Sequence, residues 1–195
     1  MPIAEPDAPC PNCRGKGVPH YDRIAALGKF QDPVKTLIHQ LKYHRRWTAG
    51  ELLGQRLAGC ERIRKILDTA DCLVPVPLHR LRQISRGYNQ ADVISTGLAL
   101  RHKLPICRPA IRSRNTETQT HLHSHARRAE NLKDAFKLVK PACIEGRNVV
   151  VVDDVATSGS TLQALARTLV PAAPKGLSAI VIGIADPRGR QFEGI

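Results

Sequence analysis

The sequence predicts an α/β fold, a mainly parallel sheet flanked by helices. Three observations carry that reading. From residue 70 onward, apolar runs of strand length alternate with helical segments, the succession that builds a parallel sheet covered by helices. Two of the runs, "NVVVV" (148–152) and "LSAIVIGIA" (177–185), are almost wholly apolar, as strands buried on both faces are. Between them, Leu162, Leu165, Ala166 and Leu169 recur at helical spacing on one face.

Taken in order, residues 1–19 are rich in Pro, Gly and Cys and lack periodicity, so they read as a loop-rich leader. Residues 20–195 read as one domain, with 20–69 its N-terminal strand and helical part and 70–195 its core. The run 20–30 suits a short strand. Asp32-Pro33 is a helix start, an N-cap Asp with Pro at the first helical position. Val34, Leu37, Ile38 and Leu41 then mark one helical face. A second helix is expected from Thr48 to about Leu67. "CLVPVP" (72–77) is an apolar strand ended by prolines, and residues 89–103 are helical, begun by Asn89 and Gln90 as capping residues. Residues 105–113 are strand-like but interrupted by Pro109. Residues 114–126 carry no core pattern and read as a mobile loop, and 126–136 as a short helix.

The totals bound the function. A chain of 195 residues suffices for one good-sized domain. Folded, it buries roughly 70% of its unfolded surface, so disulfides are not needed to hold a core. Six cysteines of which only Cys10 and Cys13 form a close pair, no leading signal peptide and no apolar run of membrane length fit a cytoplasmic protein. Net charge is +13, and it is uneven. Between His79 and Arg128, ten Arg/Lys face two acids, and five of the eight histidines lie there. Such a field favours polyanions, either nucleic acid or a phosphorylated small molecule. A plain solvated basic face has the same composition.

One string concentrates the chemistry: "VVVVDDVATSGST" (149–161). Ligands of open parallel sheets sit beyond the carboxyl ends of the strands, and Asp153 and Asp154 fall at such an end. Adjacent carboxylates repel when buried and ionised, so they call for water, a metal or hydroxyl donors. The residues that follow lack bulk. Their tight turn exposes backbone N–H groups, Thr and Ser add hydroxyls, and the next helix aims its positive end at the same place. The segment thus offers acceptors for sugar hydroxyls and donors for a phosphate. A purely structural strand–turn–helix is the rival. A nucleotide-binding P-loop and a dinucleotide fold are excluded, because G-x-x-x-x-G-K-[ST] and G-x-G-x-x-G are both absent.

The same string resembles the 5-phosphoribosyl-1-pyrophosphate (PRPP) motif of type I phosphoribosyltransferases. "LVPVPLHRLRQISRGYNQA" (73–91), "FQDPVKTLIHQLKYHR" (30–45) and "QTHLHSHARRAENLKDAF" (119–136) resemble ComF/GntX-like proteins of that superfamily. The resemblance covers roughly residues 10–186. It implies a type I phosphoribosyltransferase-like sheet. It also implies that Asp153 and Asp154 bind the ribose 2- and 3-hydroxyls, and that Val155, Ala156, Thr157, Ser158, Gly159, Ser160 and Thr161 surround the 5-phosphate. Residues 75–87 correspond to the pyrophosphate-side loop, with Arg82 and Arg86 as candidates, since guanidinium forks suit phosphates. Arg112, Arg114 and Arg128 fall where type I enzymes keep a flexible closing loop. The implied reaction is displacement of pyrophosphate from PRPP, with Mg²⁺ accompanying the substrate and an acceptor that the sequence does not name. The alternative is a non-catalytic competence accessory that binds single-stranded DNA or senses nucleotides through the basic region.

One departure stands out. ComF-like proteins usually begin with a zinc module of two Cys-x-x-Cys pairs, and here only Cys10 and Cys13 remain. With His20 the set still falls short of the four ligands a structural zinc needs. The pair therefore reads as the remnant of that module, a turn with two free thiols. "HLHSH" (121–125) is a weak metal signal and reads as solvent- or phosphate-facing histidines.

Overall fold

The computed structural model describes residues 18–43, 47–114 and 134–184, without the side chains of residues 42 and 43. Its elements are β1 (Arg23–Lys29), α1 (Val34–Tyr43), α2 (Trp47–Leu57), α3 (Glu61–Leu67), β2 (Cys72–Pro75), α4 (Arg80–Arg86), α5 (Gln90–His102), β3 (Ala110–Arg112), β4 (Phe136–Leu138), β5 (Asn148–Ala156), α6 (Ser160–Leu169) and β6 (Gly176–Ile184). Four strands form one sheet in the order β1-β6-β5-β2, every pair parallel. A parallel bridge between Leu73 and Ile106 extends the β2 edge. β3 and β4 form a separate antiparallel pair.

Helices cover both faces, which is why β2 and the valines of β5 are apolar throughout. Val149 and Val151 pack with Leu162, Leu165, Ala166 and Leu169 of α6 and with Phe136 of β4. Val150 and Val152 pack with Ile38 and Leu41 of α1, Ile63 and Ile66 of α3, and Ile94 and Leu98 of α5. The expected mainly parallel sheet and its flanking helices are therefore present.

Four expectations need correction. The helix expected from Thr48 to Leu67 is two helices. At its middle, Gly59 N–H donates to the Arg56 carbonyl and Cys60 N–H to the Leu57 carbonyl, so the last turn tightens. Cys60 then adopts extended backbone and α3 begins anew. Residues 80–86, expected as part of a loop, form α4, with His79 as an N-cap that accepts from Leu81 N–H. Phe136, expected at the end of a helix, belongs to β4, while residues 126–133 of that stretch lie outside the described residues. Finally, Asp153 and Asp154 do not end their strand: β5 continues through them to Ala156.

Candidate functional site

The site is built where β5 outruns its neighbour. β2 stops at Pro75, opposite Val152, while β5 stays paired with β6 as far as Ala156 and Ile184. Val76 N–H still donates to the Val152 carbonyl at 2.9 Å. Beyond that point the β2 side of β5 is open, and Asp153 and Asp154 stand there half-buried. The two-residue alternation of the strand slips at the acids. Val150 and Val152 join the α1–α3–α5 layer, but the next to join it is Val155, and Ala156 joins the α6 layer. Asp153 also turns back on the chain, its Oδ1 accepting from Asp154 N–H at 2.9 Å.

Residues 157–159 make the turn into α6. Gly159 holds the N-cap position with φ 72°, and no side chain caps the helix there. A Cβ at Gly159 would lie 2.8 Å from Val18 Cγ2, so backbone conformation and space both require glycine. Ser158 and Ser160 share a hydroxyl–hydroxyl hydrogen bond of 2.6 Å. The turn and the start of a ten-residue helix thus face the same edge as the acids, with the helix's positive end directed there.

Arg112 lies near Asp153, and two arginines of α4 extend from it along the same edge. Arg82 and Arg86 are four residues apart on α4 and share one face. Burial lowers the pKa of Arg82, and the nearby Arg86 charge lowers it further. Arg112 is depressed to about 10, chiefly by burial, then by Arg82, while Asp153 opposes the shift. These couplings string Arg86, Arg82, Arg112 and Asp153 together across one edge of the sheet. Arg112 differs from its expected place in a flexible loop. It ends β3, half-buried, with its guanidinium carbon 5.5 Å from the Phe136 ring centroid. Arg114 lies exposed just past that strand.

Asn89 fastens the start of α5 to the same edge. Its Oδ1 accepts from Ala91 N–H and its Nδ2 donates to the Val76 carbonyl at 3.0 Å. Gln90, which follows, accepts from Arg86. Tyr21 was not singled out in the sequence, where it is one aromatic before an apolar run. Its hydroxyl donates to the Leu162 carbonyl at 3.0 Å. Burial, and then Asp153, raises its pKa, so it closes the α6 side of the acid edge as a neutral phenol. Cys10, Cys13, Arg128 and the histidines at 121, 123 and 125 lie outside the described residues, and His20 is exposed. Among the described residues no three His, Cys, Asp or Glu side chains group to hold a metal. None of the described helices is long and apolar enough to cross a membrane.

The phosphoribosyl transferase domain family matches residues 85–193. The DNA utilization protein YhgH of Salmonella typhimurium is 36% identical over 176 residues, covering 87% of this chain and 75% of that protein. The chain belongs to the ComF-like family of type I phosphoribosyltransferase-domain proteins. Competence protein F of Haemophilus influenzae is a further relative, 35% identical over 166 residues, covering 82% of this chain and 71% of that one. Among solved structures, a glutamine PRPP amidotransferase from B. subtilis, complexed with ADP and GMP, superposes with a TM-score of 0.50 at 20% identity. The match covers 74% of this chain and 30% of that longer one. At that identity the likeness establishes the fold alone, and it agrees with the ComF-like assignment.

Proposed function

We propose that this chain binds PRPP, or a related phosphoribosyl compound, at the carboxyl edge of β2 and β5. The observation that carries the reading is one continuous segment, Asp153 to Thr161. It presents two half-buried carboxylates and then a small-residue turn at a helix start, with Arg112 beside the first acid and Arg82 beside Arg112. The carboxylates accept from the ribose 2- and 3-hydroxyls. Residues 155–161 surround the 5-phosphate with N–H groups and hydroxyls. The guanidinia of Arg82, Arg86 and Arg112 meet the diphosphate. In a transfer reaction an acceptor nucleophile bonds to ribose C1 while the C1–O bond breaks and pyrophosphate leaves with the electron pair. The protein positions the reactants and neutralises charge.

Two adjacent carboxylates with no third acidic or His ligand among the described residues suit Mg²⁺ that arrives on the substrate's phosphates rather than in an all-protein cage. Bound in that way, the ion supplies further neutralisation of the diphosphate. Calorimetry with PRPP and Mg²⁺ tests the reading. The wild type is expected to bind, and Asp153→Asn/Asp154→Asn to lose at least about tenfold in affinity, the equivalent of ~1.4 kcal/mol. A wild type that gives no heat and no binding by any second method sinks it.

A second reading rests on the basic stretch and on the names of the relatives, a DNA utilization protein and a competence protein. In it the chain engages single-stranded DNA through Arg112, Arg114 and the arginines beyond them. A titration across salt concentrations separates the two. A steep fall of log affinity with log salt, flattened when those arginines are neutralised, favours DNA.

A further inference from the structure

Gln90 is a buried amide, 4% exposed, on the first turn of α5. Its Oε1 accepts a hydrogen bond from Arg86 Nη1 at 3.3 Å. A guanidinium can only donate, so the carbonyl oxygen must face Arg86, and chemistry fixes which amide end is which. That leaves Nε2 buried with no partner among the described residues. Burying a donor in this way costs about 1–3 kcal/mol, and an aliphatic side chain would fill the space without that cost. Stability alone does not account for glutamine here.

Its mounting is rigid. Gly87 ends α4 in the left-handed region, and two residues later Asn89 caps α5 while tied to Val76. The Tyr88 hydroxyl donates to the Leu41 carbonyl of α1. The chain between α4 and α5 is thus pinned to the sheet edge and to α1, a helix of the same layer as α5. The nearest acid on α5 is engaged elsewhere: Asp92 Oδ1 accepts from Arg108 Nη2 at 2.8 Å and from Nε at 3.1 Å.

We infer that Gln90 is a positioning residue, which orients the Arg86 guanidinium toward an incoming diphosphate without neutralising it. A carboxylate at this position would orient Arg86 equally well, but it would pair with the charge and cancel it. A neutral amide aims the fork and leaves the charge for the ligand. The inference rests on the phosphoribosyl reading proposed above and adds to it one residue, Gln90, which steadies Arg86 of α4 on the diphosphate side.

The test is calorimetry on the full chain with three probes: ribose 5-phosphate, inorganic pyrophosphate, and PRPP with Mg²⁺. The proteins are wild type, Gln90→Leu, Gln90→Glu, Arg86→Ala and the Gln90→Leu/Arg86→Ala pair. Gln90→Leu is expected to weaken pyrophosphate and PRPP about tenfold, as loss of a hydrogen bond to a charged group does, and to leave ribose 5-phosphate within about twofold. Gln90→Glu, nearly the same shape, should weaken pyrophosphate at least as much and reduce its salt dependence. In the Arg86→Ala background, Gln90→Leu should add nothing. Unchanged pyrophosphate affinity in both Gln90 variants overturns the inference. So does equal weakening of ribose 5-phosphate, or a loss that adds to that of Arg86→Ala. If the wild type binds ribose 5-phosphate while the Gln90 variants behave normally, only this inference fails. If the wild type binds none of the probes, the phosphoribosyl reading fails with it.

Discussion

At Arg112, burial and charge pull against each other. Its guanidinium is half-buried over Phe136, close to Arg82, and its pKa is pushed down to about 10. From there up to the ordinary guanidinium range the unfolded chain keeps a proton that the folded chain releases, so stability rises with pH through that window. The charged form is therefore a cost to the fold at neutral pH, and a bound anion relieves it. Arg112→Met, which keeps the cover over Phe136, should raise the melting temperature of the ligand-free protein by a few degrees (on the order of 1 kcal/mol) while weakening pyrophosphate binding. Thermal unfolding alongside calorimetry checks both halves. Wild-type pyrophosphate affinity should also fall as pH passes through about 10, because the donor charge is lost there, and that fall should be shallower in Arg112→Met. None of this was legible in the sequence. Composition places a positive charge at residue 112, but only the strand pairing of β3 with β4 turns it inward onto an aromatic ring.

At the scale of elements, the site depends on how closely α2 and α5 approach. A Cβ at Gly97 would fall inside van der Waals contact of the Glu51 carbonyl oxygen, and one at Gly54 would collide with the Ile94 carbonyl oxygen. These glycines let the two backbones touch, and α5 carries Asn89 and Gln90 at its leading end. Gly97→Ala must push the helices apart, at a cost of about 3 kcal/mol, or roughly 6–12 °C in melting temperature for a chain of this size. Gly59→Ala, whose Cβ would lie 3.4 Å from the Arg56 carbonyl oxygen, should cost much less. Denaturation of the two variants side by side decides the point. Periodicity found α1 and α6, since each has an apolar face. It missed α4, because no residue of that helix is buried and Leu81 and Ile84 are 59% and 76% exposed. A surface helix without a core face leaves no periodic signal. It also ran α2 into α3, because the tightened turn at Ala58-Gly59-Cys60 interrupts the backbone and not the apolar pattern.

For the whole molecule, the two cores and the sheet between them form one body, and the candidate site lies on its edge rather than inside it. Ligand binding there should stabilise the entire fold. At one hundred times its dissociation constant, PRPP with Mg²⁺ should add about 2.7 kcal/mol, seen as a rise of roughly 5–10 °C in melting temperature. Asp153→Asn/Asp154→Asn should lose that rise without a large change in the ligand-free value, since both carboxylates stand at a partly open margin. An unchanged rise in that variant would remove the acids from the site.

By itself, the sequence determined the parallel sheet, its apolar strands and the order of acids, small residues and helix along β5. Each of these is local: an unbroken run of β-branched residues can only be buried, and a motif keeps its order along the chain. Only the tertiary structure decided that Arg112 meets both Asp153 and Arg82, that Tyr21 flanks the acid, and that Gln90 holds Arg86. Those residues come from β1's approach, α4, α5 and β3, far apart in the chain. Their meeting is set by where parallel strands end relative to one another, and no spacing in the sequence encodes that register.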